Sequence, residues 1–293
     1  TRKMILAMVS GGHVLLEGMP GLAKTRLANS IAHSISADFK RIQFTPDLMP
    51  SDIIGSMMYN QHTGQFSTRF GPIFTNILLA DEINRAPAKV QSALLEAMQE
   101  SQVTIGEETH HLGELFFAVA TSNPIDQDGT FNLPLAQTDR FAIKIIIDYP
   151  APADELRIID ELAGAAPAIH KKVASIADIL RAREIAKGIY IDPKISEYII
   201  SLVCATRRPK EYGLDSLADY VEYGASPRAT VWLATLARVR AFSRSRAFVS
   251  PDDVRYFATD VLAHRIGLNY LADTDSVSQI DVINEILKTI PQP

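Results

Sequence analysis

The sequence has little cysteine, no long apolar run and no excess of positive charge. Cys204 is the single cysteine in 293 residues, so no disulfide can form within them and a reducing, cytoplasmic compartment is expected. No stretch approaches the roughly 20 apolar residues of a membrane helix. The net charge of -5 argues against binding of nucleic acid that is mainly electrostatic. The seven histidines lack the spacing of a metal site.

The composition is that of an ordinary globular chain. Hydrophobic residues make up 47% and charged residues 22%, which is enough for a core. The length allows one large domain or two modest ones. Residues 1–9 are basic and then apolar, like a signal peptide, but they run directly into the next motif. A helix is predicted there instead, and the abrupt start leads us to expect further residues upstream of Thr1.

A glycine-rich turn between a strand and a helix is the most informative segment. Apolar spacing predicts a buried strand at residues 13–16 and a helix at 25–35. The turn between them has the pattern of a phosphate-binding loop, whose backbone N–H groups and helix N-terminus attract phosphate. In this pattern Lys24 neutralises phosphate charge and the Thr25 hydroxyl binds Mg²⁺, while Ala23 replaces the usual second glycine. The candidate phosphate-binding residues are Gly18, Met19, Pro20, Gly21, Leu22, Ala23, Lys24 and Thr25.

An apolar strand that ends in two carboxylates supplies the second half of the predicted site. Residues 77–80 are apolar, and Asp81 and Glu82 follow. Asp81 is placed to hold Mg²⁺ through water. Glu82 can polarise the attacking water as a general base. Solvation at a strand end is the alternative explanation for two adjacent carboxylates, but together with the loop they predict nucleotide binding.

Strands and helices alternate in the first half, which predicts an α/β fold with a mostly parallel sheet and helices on both faces. From residue 150 onward the pattern is helical, and Pro193, Pro227 and Pro251 each follow a capping residue at a predicted helix start. Two domains are therefore predicted, a nucleotide-binding core at 1–149 and a helical domain at 150–293. Further strands are predicted at 41–44, 116–120 and 142–147, a helix at 87–100, a hairpin at 103–112, and an irregular segment with one hairpin-like turn at 45–74.

An ordered series of motifs resembles the AAA+ ATPases, and among them the MoxR family. The resemblance implies an αβα sandwich built on a P-loop parallel sheet, with a C-terminal all-α lid. It also implies ATP and Mg²⁺ as cofactors and a homo-oligomeric ring, commonly hexameric. The two hairpin segments resemble insertions of this clade. The matching segments are residues 17–25, 43–52, 70–74, 81–86, 121–124, 139–141 and 224–229.

The resemblance gives three further polar residues a role. Asn123 matches the sensor-1 position, where its amide helps Glu82 to orient the water; a turn cap is the alternative. Arg140 matches the arginine finger, which acts on a neighbouring subunit's γ-phosphate; an intrachain partner for Asp139 is the alternative. Arg228 matches sensor 2 in the first turn of a lid helix, where the helix dipole disfavours a cation unless an anion is present; a solvated arginine is the alternative.

The remaining arginines are expected to be solvated. Arg85, Arg207 and Arg208 could each face a neighbour's nucleotide or water, and water is the expectation. The arginines at 238, 240, 244 and 246 form the only cluster of basic residues in the sequence, and a solvent-exposed helix face explains them.

The resemblance implies ATP hydrolysis at subunit interfaces that drives chaperone-like remodelling or maturation of protein complexes. Its partners would be protein clients, often with a protein carrying a von Willebrand factor A domain. Three alternatives stay open: an MCM-like nucleic-acid motor, a small-molecule kinase, and an ATP-binding scaffold with little turnover. The hairpin tips at 61–64 and 106–108 are neutral and acidic, which disfavours nucleic acid as a partner.

Overall fold

The computed structural model describes residues 1–19, 21–22, 24–62, 64–123, 131, 133–156, 159 and 172–293. The chain forms two compact units. The first comprises Thr1–Leu15, Asn132–Lys144 and Ile179–Pro293, and the second comprises Leu16–Phe131 and Ile145–Asp178. The division predicted at residue 150 stays a prediction.

The central sheet has five strands in the order β2-β5-β8-β1-β9. β5 pairs in parallel with β2 on one side and with β8 on the other, in a register that sets Gln43 beside Asp81. The predicted parallel α/β sheet is therefore confirmed. The strands are β1 (Val14–Gly18), β2 (Phe39–Gln43), β3 (Gly55–Asn60), β4 (Gln65–Phe70), β5 (Ile77–Asp81), β6 (Gln102–Ile105), β7 (Glu108–His111), β8 (Phe117–Ser122), β9 (Ile143–Ile147), β10 (Val221–Tyr223) and β11 (Gly267–Leu268).

Within the described residues, no helix combines the length and apolar character needed to cross a membrane. Short 3₁₀ helices occur at Ile83–Arg85, Pro209–Tyr212 and Ala263–Arg265. The α-helices are α1 (Arg2–Ser10), α2 (Lys24–Ser34), α3 (Pro50–Ile54), α4 (Ala88–Glu100), α5 (Leu135–Thr138), α6 (Ile176–Lys187), α7 (Pro193–Arg207), α8 (Asp215–Ala218), α9 (Pro227–Ser243), α10 (Pro251–Leu262), α11 (Tyr270–Thr274) and α12 (Gln279–Thr289).

In the second unit, the core forms around β5 and β8, which are buried at every position. Such continuous apolar runs are typical of parallel strands covered on both faces. The edge strand β2 is mostly exposed and carries Lys40 and Arg41, which discourage further strand pairing. The antiparallel hairpin β3–β4 confirms the hairpin-like turn predicted within 45–74, and β6–β7 forms the second predicted hairpin. The short helix α3, in the same segment, was not predicted.

In the first unit, local capping chemistry explains where the helices begin. α7, α9 and α10 start at Pro193, Pro227 and Pro251, as the cap-then-proline pattern predicted. Ser250 caps α10 in the capping-box arrangement, and its N–H and its hydroxyl both donate to Oδ2 of Asp253 at 2.9 Å. These contacts satisfy N–H groups that have no partner inside the helix.

The expectation of a solvated arginine face is wrong for part of the basic cluster. The Asp253 carboxylate is fully buried and lies 2.7 Å from Arg246 and 3.4 Å from Arg240. The side chains of Arg240 and Arg246 are only 15% and 30% exposed. Arg238 donates to the Ile189 carbonyl at 3.1 Å. These arginines hold helices and loops together within the first unit.

Replacing Asp253 by Asn should lower the free energy of unfolding by about 3–5 kcal/mol, because two largely buried guanidinium groups lose their counter-charge. Urea or thermal unfolding measures the change. The matched control is Asp252→Asn, one residue earlier and exposed, which should change stability by less than about 0.5 kcal/mol. An equal loss in both variants would show that helix-start charge, and not the ion pair, is responsible.

Candidate functional site

The glycine-rich turn follows β1 directly and leads into α2, which begins at Lys24. Lys24 is 9% exposed, and its ammonium donates to the Gly18 carbonyl at 2.6 Å. Burial lowers the pKa of Lys24 below its usual value of 10.5, an effect opposed by the charges of Asp81, Glu82 and Glu17. A cation is thus held beside carboxylates at the start of a helix.

The turn's described glycines meet two different constraints. A Cβ at Gly18 would come within 2.5 Å of the Ile147 carbonyl oxygen, so this position has no room for a side chain. Gly21 has a φ of +84°, which favours glycine, and a Cβ there would meet no described atom within 4 Å. Met19, Leu22 and Thr25 are also described, and Thr25 lies in the first turn of α2. The candidate residues Pro20 and Ala23 lie outside the described residues.

Asp81 ends the buried strand β5 with both carboxylate oxygens engaged. Thr121 at the end of β8 donates its hydroxyl to Oδ1 at 2.6 Å. Arg41 of β2 donates to Oδ2 through Nη2 at 2.7 Å and through Nε at 3.1 Å. Donors from the two neighbouring strands therefore satisfy the charge that the strand end would otherwise leave unpaired.

Glu82 has a left-handed backbone conformation, with φ 57° and ψ 51°. This conformation is uncommon for a non-glycine residue and is often found at functional sites. The Glu82 N–H donates to the Thr121 hydroxyl at 2.8 Å. Its Oε2 accepts from Gln43 at 2.8 Å and from Arg85 at 3.1 Å. Arg85, expected to be solvated, is therefore a partner of Glu82.

Asn123 follows β8 and is buried beside the 3₁₀ turn that carries Asn84. The Asn84 amide donates to the Asn123 carbonyl at 3.3 Å. Gln91 of α4 supports the same turn by donating to the carbonyls of Ile83 at 3.2 Å and Ala86 at 3.0 Å. These contacts fix the backbone on both sides of the Asp81–Glu82 edge.

Arg140 and Arg228 belong to the first unit, and Asp139 lies close to both of them. Asp139 is engaged by Arg228 at 3.2 Å, by Arg265 at 2.8 Å and by the Ser226 hydroxyl at 2.8 Å, and not by the adjacent Arg140. The Nε of Arg140 is buried without a hydrogen-bond partner among the described residues. Arg228 thus has a protein carboxylate that balances its charge at the start of α9.

The structure brings Lys24, Asp81, Glu82 and Asn123 into the second unit and adds partners that sequence reasoning missed. The missed residues are Arg41, Gln43 and Thr121, which surround the two carboxylates. Their positions at the carboxyl ends of β2 and β8 were the available signal, because ends of parallel strands meet at one edge of a sheet.

The residues present fit a nucleotide with Mg²⁺. In the part of the chain that is described, no three His, Cys, Asp or Glu side chains cluster as a cage for a metal. Mg²⁺ is usually held by one or two protein oxygens together with phosphates and waters, so a hydroxyl and a carboxylate such as those of Thr25 and Asp81 are a suitable donor set. The ammonium of Lys24 and the open turn at Gly21 suit a phosphate chain.

Comparison with known proteins supports this assignment. Residues 13–143 match the ATPase family associated with various cellular activities (AAA), and residues 216–286 match the AAA lid domain. The chain is 46% identical to the chaperone MoxR1 of Mycobacterium tuberculosis over 99% of its own length and 77% of that protein. It is 40% identical to the uncharacterised protein YeaC of Bacillus subtilis, over 99% of this chain and 88% of that one.

A solved crystal structure shows the same fold. It is that of a candidate ATPase from Cytophaga hutchinsonii, with a TM-score of 0.93 and 46% sequence identity, covering 99% of this chain and 88% of that one. The predicted α/β AAA+ core with a helical lid is thereby confirmed. The protein belongs to the MoxR family of AAA+ ATPases.

Proposed function

We propose that this protein hydrolyses ATP with Mg²⁺ at the subunit interfaces of a hexameric ring and uses the cycle to remodel or mature protein complexes. The observation that carries the proposal is the site of the second unit. There the buried Lys24 lies at a helix start, and its ammonium is under the influence of the charges of Asp81, at the end of β5, and Glu82, the next residue. AAA family membership and kinship with proteins named as MoxR chaperones support a chaperone-like ATPase role.

The chain's own residues divide the chemistry among them. Lys24 neutralises phosphate charge, and the described loop residues present backbone N–H groups at the start of α2. Thr25 and Asp81 would hold the Mg²⁺ ion, which would neutralise charge that develops on the phosphate oxygens. Glu82 takes the proton of the attacking water, and Asn123 orients that water. Gln43 and Arg85 both donate to Oε2 of Glu82, and these two contacts fix the position of its carboxylate.

Two arginines complete the proposed site. Arg140 acts on the nucleotide of the neighbouring subunit, where a guanidinium stabilises charge on the transferred phosphoryl group. The unpartnered Nε of Arg140 supports this assignment, because a buried donor without a partner is costly unless a ligand satisfies it. Arg228 exchanges Asp139 for the nucleotide when the nucleotide binds; its present contact at 3.2 Å and its partly exposed side chain allow such an exchange.

Protein clients fit the surface better than nucleic acid does. The hairpin β3–β4 exposes five large apolar side chains and, among its described residues, carries one cation, Arg69. Apolar surface of this kind favours contact with protein, whereas binding of nucleic acid needs a row of cations. A partner with a von Willebrand factor A domain belongs to the same proposal. The exposed side chains are Met57, Met58, Tyr59, Phe66 and Phe70.

Replacing Glu82 by Gln should reduce turnover by about 10²–10⁴-fold, because the amide cannot accept the water's proton. ATP affinity should be retained, since Gln keeps the size of the side chain and Lys24 is unchanged. Steady-state phosphate release and equilibrium nucleotide binding measure the two quantities. The matched control is Glu107→Gln in the exposed β6–β7 turn, which should have full activity. Full activity in Glu82→Gln would rule out Glu82 as the base.

Replacing Arg140 by Ala should abolish most turnover, by about 10³-fold, while ATP binding is retained. Specific activity of the unaltered protein should also rise with protein concentration, because the site is complete only when subunits meet. Phosphate release over a dilution series tests both statements. The matched control is Arg244→Ala, an arginine that follows α9 and is exposed. Concentration-independent activity together with an active Arg140→Ala variant would contradict the interface mechanism.

A further inference from the structure

Arg265 is a buried charge that the proposed chemistry does not use. It lies in the 3₁₀ turn after α10 and is 1% exposed. Its Nε donates to Asp139 Oδ1 at 2.8 Å, and its Nη2 donates to the Asp139 carbonyl at 2.9 Å and to the Phe141 carbonyl. Its Nη1 donates to the carbonyls of Ala142, at 3.3 Å, and Val261. One guanidinium therefore binds the backbone on both sides of Arg140.

Arg265 remains cationic in this setting. Burial lowers the pKa of Arg265 to about 10, and the neighbouring charge of Asp139 opposes the shift. A buried ion pair is a weak source of stability, because desolvation of the two charges offsets much of their attraction. The guanidinium of arginine has five N–H groups fixed in one plane, so it holds its acceptors in fixed directions.

We propose that Arg265 is a positioning residue for Arg140. By holding the carbonyls of Asp139, Phe141 and Ala142 together with the Asp139 carboxylate, it fixes the direction in which the Arg140 side chain leaves the backbone. The inference rests on the proposed role of Arg140 at the neighbour's nucleotide. Arg265 itself touches no nucleotide in this scheme. It acts only through residues 139–142, which we call the finger segment.

The test uses Arg265→Lys, which keeps the charge but loses the fork that reaches several acceptors at once. Turnover should fall by about 10²-fold, the cost of a displacement near 1 Å at a reacting centre. ATP affinity should be unchanged. The matched control is Arg255→Lys, an arginine of α10 that donates to Tyr198 at 3.2 Å and to the Leu287 carbonyl and does not contact the finger segment. Its turnover should match that of the unaltered protein.

Mixing subunits separates positioning from a merely structural role. Glu82→Gln subunits have a disabled site but an intact Arg140, so they can serve the intact site of an Arg265→Lys neighbour. The mixture should regain activity well above either variant alone, as should the reference mixture of Arg140→Ala with Glu82→Gln. Asp139→Asn, which keeps the side-chain volume, is the second variant if Arg265→Lys does not fold, and its mixture with Glu82→Gln should also regain activity.

The outcomes distinguish the inference from the proposal on which it rests. If the Arg140→Ala mixture regains activity and the mixture with the folded positioning variant does not, Arg265 is a structural residue and the inference is overturned. Full activity of Arg265→Lys alone would overturn it as well. If the Arg140→Ala mixture also fails, the interface mechanism itself is wrong, and the positioning role falls with it.

Discussion

The contacts of the candidate site in the second unit depend on one requirement: the Asp81 carboxylate, at the end of a fully buried strand, needs hydrogen-bond donors. Asp81 is the last residue of β5, so its two oxygens require hydrogen-bond donors, and the adjacent strands are near enough to supply them. Thr121 and Arg41 supply them, and Thr121 also accepts the N–H of Glu82. The left-handed backbone of Glu82 then directs its carboxylate toward Gln43 and Arg85. The side-chain partners of Asp81 and the position of the Glu82 carboxylate thus follow from one constraint.

In the first unit, two buried carboxylates are paired with arginines. Asp253 is held by Arg240 and Arg246, and Asp139 by Arg228 and Arg265. The two cases differ in what the pair fixes. Asp253 joins the ends of helices, whereas Arg265 also binds the backbone around Arg140. Arg240 and Arg246 also donate to backbone carbonyls, those of Asp252 and Phe248. The difference lies in location, because the carbonyls that Arg265 binds flank Arg140, and the proposed positioning role depends on that location.

The sequence predicts those features that depend on local pattern. The phosphate-binding turn, the carboxylate strand and the helix starts at Pro193, Pro227 and Pro251 follow from spacing within a few residues. In the segment at 45–74 the turn of the hairpin was predicted, but the short helix α3 was not, because five residues are too few to show a helical period.

The partners of the site residues depend on long-range pairing, and the local spacing of the sequence does not identify them. Arg41 reaches Asp81 only because β2 and β5 pair in a register that sets Gln43 beside Asp81. Asp139 and Arg265 lie 126 positions apart in the sequence, so no local pattern connects them. The expectation that the arginines at 238–246 are solvated was wrong in part for the same reason, because the packing of α10 buries Asp253, the partner of Arg246.

The most direct test is a crystal structure of the Glu82→Gln variant with ATP and Mg²⁺. The account predicts that the Lys24 ammonium leaves the Gly18 carbonyl and binds a phosphate oxygen. It also predicts that Thr25 and Asp81 hold the Mg²⁺ ion, directly or through water. ATP bound elsewhere, or a Lys24 ammonium that still donates to Gly18 with the nucleotide in place, would contradict it.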